Sequence, residues 1–278
     1  NHRLFVADSD NNRVLVFHLN DNDELIDYEA DFVLGQTDYI SAVTAPDFTA
    51  TASSLNKPKD VLFNSNNNTL FVADGSRILV YDVDVSHITD GAAAIKVLGK
   101  PDFTTTSLPE RISISNVYPD SLAFDAVRNL LFVSESYRVV AFDVGIINNG
   151  EDAVYVLGQA DFTSVNRVSG QNGFSASGAA GLAYNSADRM LYVGDLGNNR
   201  VLAFDVNTIE NGENAISVWG QPDFVSYAFN RGQFGGALAS ANSLGDPRDV
   251  AYNENAKTLY VADYGNHRVT AYDVSSID

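Results

Sequence analysis

The sequence predicts an all-β fold, a β-propeller of four-stranded antiparallel blades, on three observations. A Leu-aromatic-Val-small-acid run recurs five times, every 60–68 residues. An Arg follows each copy after a short polar turn and opens a second apolar run. The first run is apolar at consecutive positions, so both of its faces call for burial. A simple two-sheet sandwich leaves one face of each sheet wet. Four-stranded sheets stacked face to face around an axis bury both.

Four strands per unit, a to d, follow from the pattern. Strand b is the recurring run, at 4–8, 70–74, 131–135, 191–195 and 259–263. Its small fourth residue (Ala7, Ala73, Ser134, Gly194, Ala262) lets neighbouring sheets approach. It ends in an acid (Asp8, Asp74, Glu135, Asp195, Asp263), and strand c opens with Arg13, Arg77, Arg138, Arg200 or Arg268. The acid-to-Arg gap is five residues in three copies and three in two, as expected of a hairpin whose loop alone varies. These ten residues are expected to pair as scaffold, since Arg offers a fork that matches a carboxylate. Strand d reads Val-Leu-Gly or Val-Trp-Gly, at 33–35, 97–99, 156–158 and 218–220, with Trp219 as blade packing. Asp90-Gly91, Asn149-Gly150 and Asn211-Gly212 precede it, pairs that suit turns with positive φ. Strand a precedes strand b at 60–64, 120–125, 181–185 and 249–253.

The units place blades near 1–36, 60–100, 120–159, 181–221 and 249–278 of a single domain. Long stretches at 37–59, 101–119, 160–180 and 222–248 separate them, each opening on Asp-Phe or Asp-Tyr after one or two residues. They read as ordered surface loops, the usual place for binding residues on a rigid scaffold.

The string Val261-Ala262-Asp263-Tyr264-Gly265-Asn266-His267-Arg268-Val269 resembles the NHL repeat, in a long form of bacterial type. Similar motifs start at Asp8 and Asp195, and shortened ones at Asp74 and Glu135. The resemblance implies a propeller, commonly six-bladed. Four a, five b, five c and four d strands make 18, two short of five complete blades. The expectation is therefore a segment of a larger ring in a longer protein. As a guide to function the resemblance is weak, because propellers host unrelated activities.

Composition narrows the function. The net charge of −19, from 36 acids and 17 bases, argues against nucleic acid, whose phosphates need a Lys/Arg field. It equally disfavours an anionic membrane surface. No apolar run approaches the roughly 18 residues of a spanning helix. Absent cysteines remove disulfides and thiolate chemistry. His2, His18, His87 and His267 fall in unrelated repeat phases, mostly turn or loop, and no Gly-rich Ser elbow is present. The histidine-bound zinc of the amidating lyases with an NHL-like fold finds no matching set here. The calcium-ligand motif of lactonase-like propellers cannot be mapped onto this chain.

Two sets of residues break from scaffolding. Asp60, Asp120 and Asp249 each begin a strand a and are candidates to line a channel mouth, with Gly181 in the fourth copy. Three convergent carboxylates suit a hard cation such as Ca²⁺; capping of the strand start is the favoured reading. Tyr227, Phe229, Arg231 and Phe234 lie among glycines in the longest and least repeat-like stretch, a candidate recognition loop, with a self-packed loop as the plainer reading. Asn67-Asn68-Thr69 matches a glycosylation triplet of the kind chance supplies in an Asn-rich chain. The expected function is a non-enzymatic binding module of a secreted or cell-surface protein, with a protein or glycan partner. A Ca²⁺-assisted hydrolase or lyase with a site in the channel is the alternative.

Overall fold

The computed structural model describes residues 2–41, 49–107, 116–175, 178–232 and 238–277. Phe234 of the candidate loop lies outside them. The chain divides into two compact units, Asn1–Pro119 with Ile146–Asp152, and Asp120–Gly145 with Ala153–Asp278.

The first unit holds two antiparallel sheets. One contains β1 (Arg3–Asp8), β2 (Arg13–His18) and β3 (Phe32–Leu34); the other contains β4 (Pro58–Asn64), β5 (Thr69–Asp74), β6 (Arg77–Asp82) and β7 (Lys96–Leu98). The second unit holds three sheets. They are β8 (Ser121–Asp125), β9 (Leu130–Glu135), β10 (Arg138–Asp143) and β11 (Tyr155–Leu157); β12 (Ala179–Asn185), β13 (Met190–Asp195), β14 (Arg200–Asp205) and β15 (Ser217–Trp219); and β16 (Pro247–Asn253), β17 (Thr258–Asp263) and β18 (Arg268–Asp273). Strands neighbour one another in chain order in every sheet. This is the all-β propeller architecture that the repeat predicts, with antiparallel blades on the four-strand plan. The outermost strand is missing from the last sheet, and the innermost from the first. Among the described residues no helix is long and apolar enough to cross a membrane.

Register explains why the repeat has its composition. In the blade of β12–β15, Ala183, Tyr192 and Ala203 sit side by side across three strands. All three are buried. Val250, Leu259 and Val261 of the following sheet cover that face, and the Tyr192 and Tyr252 rings lie 5.6 Å apart. In the first unit, Val14 and Val16 are covered in the same way by Leu70, Val72, Leu79 and Tyr81. One rule serves both units: the aromatic residue of strand b faces the next sheet, and its Leu and Val face the preceding one. Each such side chain contributes about 1.5–3 kcal/mol on burial.

Strand b is buried at every position in β5, β9 and β13. In β1 and β17 burial alternates instead, because each of those sheets is covered on one face only. Leu4 and Val6 are 40% and 37% exposed, and Tyr260 and Val269 are 40% and 69% exposed.

The Asx-Gly turns before strand d have a second task. The Asp90 carboxylate accepts the Val33 N–H (3.0 Å), and the Gly91 N–H donates to the Val33 carbonyl (2.9 Å). Asn149-Gly150 latches Val97 in the same way, and Asn211-Gly212 latches Val156. Each turn satisfies the open edge of a strand d that lies more than fifty residues earlier, where an unpaired edge invites association.

Candidate recognition loop and cleft

The acid–Arg pair of each hairpin builds the loops. Arg Nε lies 2.7 Å from Asp8, 2.8 Å from Asp74, 2.6 Å from Glu135, 2.7 Å from Asp195 and 2.7 Å from Asp263. In the three longer turns, Asn11, Asn198 and Asn266 also donate to the acid. A left-handed residue (Asn12, Asn199, His267) then leads to the Arg. Burial pushes the Asp74 and Asp195 carboxyls up, against the pull of Arg77 and Arg200.

The rest of each guanidinium holds the loop that follows strand d. Arg13, Arg77, Arg138 and Arg200 donate through Nη1 to the carbonyls of Tyr39, Phe103, Phe162 and Phe224. The aromatic residue that opens each loop is thus fixed by its backbone. The Asp before it folds the chain back, as Asp102 does by accepting from Thr104 and Thr105. Those bonds, led by the threonine hydroxyl, hold Asp102 down at about 2, and Thr163 does the same for Asp161. The far end of each loop returns an apolar residue, Leu55, Val117, Phe174 or Leu244, all buried. It fills the space over Gly35, Gly99, Gly158 or Gly220, where any Cβ would collide with it and φ is positive. Sequence reading missed these plugs; the visible signal is a lone apolar residue shortly before each strand a.

The fourth loop departs from this plan. Phe229–Arg231 form a single 3₁₀ turn in which Asn230 and Arg231 both take left-handed backbone (φ 52° and 60°). Such positions cost about 1–3 kcal/mol each and persist where surrounding contacts impose them. Here Asn230 is buried and joined to Asn266 by side-chain hydrogen bonds of 2.8 and 2.9 Å. The Phe229 ring lies over Gly245 and Gly265, filling the space a Cβ at either would need. The loop is therefore built onto the turn after β17.

Beside it opens a cleft of about 700 Å³, lined by Asn199, Gln221, Val225, Tyr227, Phe229 and Arg231 among others. Tyr227 is 62% exposed, and its carbonyl accepts from Asn199 (2.9 Å). Arg231 donates through Nε to the Gly220 carbonyl (3.2 Å); among the described residues its other guanidinium nitrogens make no hydrogen bond. Gln221 is buried and donates to Asn199 and Ala228, while its Oε1 is without a partner. In the preceding blade the equivalent Gln159 Oε1 accepts the Asn166 N–H (2.8 Å). The structure thus brings Tyr227, Phe229 and Arg231 to one cleft.

The three aspartates have local roles in the structure. Asp60 and Asp249 sit at irregularities of β4 and β16, and each accepts the N–H of the next residue, Val61 (2.8 Å) or Val250 (2.9 Å). Asp120 directly precedes β8, and its own N–H donates to Ser134 (2.8 Å). Burial pushes the Asp249 carboxyl up. Gly181, the exception in the series, lies against Asp249, whose Oδ1 occupies the space of a side chain there. Among the described residues, no group of three His, Asp or Glu side chains is placed to hold a metal ion. His2, His18 and His87 each pair with a nearby Asp.

Comparison with curated proteins finds no match to this sequence. Among solved structures, a "putative 6-phosphogluconolactonase" from Bacteroides uniformis is similar at a TM-score of 0.57 and 15% identity, over 98% of this chain. The chain spans 64% of that protein's length. At this identity the likeness shows the fold. At least 920 solved chains match, too broad a set for the fold to select an activity. The NHL repeat family model matches residues 244–272. The strand pair and acid–Arg bond of that segment recur in the other four sheets, and the chain is an NHL-repeat β-propeller.

Proposed function

We propose that this propeller is a non-enzymatic binding module, part of a larger secreted or cell-surface protein, and that the cleft at Tyr227, Phe229 and Arg231 receives a protein or glycan partner. The observation that carries the reading is the cleft itself. Its volume lies within the range of about 300–1,000 Å³ typical of ligand pockets. Its wall combines aromatic residues with an arginine that has donors to spare, a composition enriched where binding energy concentrates. The strained turn beneath it gives these groups a fixed position, which lowers the ordering cost of binding.

Ser226 also lines the cleft, and Ser226→Trp fills it without touching the scaffold. Protein and glycan arrays probed with the chain should show a partner that Ser226→Trp and Tyr227→Ala each weaken at least tenfold. A partner indifferent to both would remove the cleft from the reading. A Ca²⁺-dependent rise in melting temperature, abolished by Asp60→Ala and Asp120→Ala, would replace it with the metal-assisted alternative.

A further inference from the structure

Two sheet faces of this chain are apolar, exposed and of opposite kinds. The face of β16–β18 carries Ala251, Tyr260 and Ala271 in one row, with Ala262 and Val269 in the next. Its first row repeats, residue for residue, the row Ala183, Tyr192 and Ala203, which the adjoining sheet buries. The face of β1–β2 carries Leu4, Val6, Leu15 and Phe17. It repeats Leu70, Val72, Leu79 and Tyr81, the group that covers its neighbour in the first unit. One face is therefore of the kind that is covered in both units, and the other is of the kind that does the covering.

We propose that the β16–β18 face is a docking surface for the β1–β2 face of a second copy of this chain. The contact is heterologous: two different patches meet head to tail, and each end of a pair keeps one patch open. Exposed apolar patches of this sort mark association sites. The net charge of −19 opposes the approach of copies, so association strengthens as salt screens it.

Val269→Lys and Val6→Lys test this, because both residues are exposed and each variant spoils one patch while sparing the other. Sedimentation velocity on the wild-type chain at about 10–200 µM in about 0.5 M NaCl, where the Debye length is a few ångströms, is expected to show concentration-dependent oligomers. Each variant alone should associate at least tenfold more weakly, with an unchanged melting temperature. An equimolar mixture of the two should form a one-to-one dimer that grows no further, because each supplies the patch that the other lacks. A wild-type monomer throughout this range would overturn the proposal. So would oligomers that survive either substitution, or a mixture that fails to pair. A lower melting temperature of the Val269→Lys monomer would also overturn it, since the face would then be covered within one chain.

Discussion

Arg200 meets four acceptors: Asp195, and the carbonyls of Gly170, Gly173 and Phe224. Both members of the Arg200–Asp195 pair are fully buried. Arg200→Met should strand the Asp195 charge and release both ends of a loop, at a cost of about 3–5 kcal/mol in urea unfolding. Arg200→Lys should recover little of it, because an ammonium cannot span the same fork. Asp102 and Asp161 set an acid limit. Their carboxyls fall from 3.8 to about 2 in the fold, so they stabilise it above about pH 4. That contribution is lost as pH falls through about 2. Asp102→Asn with Asp161→Asn should flatten the decline of melting temperature across this window. The acid–Arg pairs were legible in the sequence because a hairpin brings nearby residues together. The carbonyls that share the guanidinium were not, because a backbone acceptor has no residue type.

At the scale of elements, strands b and c read clearly, since turn chemistry and apolar runs coincide. Strand d, only three residues long, was legible through its Val-Leu-Gly signature. Its latch was not: Asn211 and Val156 are far apart in sequence, and Asn-Gly already had a sufficient explanation as a turn. Asn211→Ala should leave the Val156 N–H without its acceptor. A hydrogen bond worth about 1 kcal/mol then becomes roughly a fivefold to tenfold faster amide exchange at Val156, with β13 and β14 unaffected. The candidate loop showed itself by breaking the repeat at Tyr227, Phe229 and Arg231. The cleft beside it could not be foreseen, because its walls include backbone from the turn after β13.

For the whole molecule, 36 acids against 17 bases impose self-repulsion on the folded state. The melting temperature should climb as NaCl rises from a few millimolar to about 0.5 M, with most of the gain below about 0.15 M, where screening changes fastest with distance. A flat response would mean that the acids are already neutralised in local pairs.

The latches also have a direction. In each case the turn that closes an edge comes from residues later in the chain, Asp90 standing 57 positions after Val33. A ribosome adds about 5–20 residues per second, so β3 waits roughly 3–11 s during synthesis with that edge open. The β3 hairpin partner is present within moments, while the edge depends on residues still to be translated. A nascent chain stalled between the two would present the edge to whatever is nearby. Pausing of translation within 35–90 is therefore a point at which this protein is exposed to misassembly.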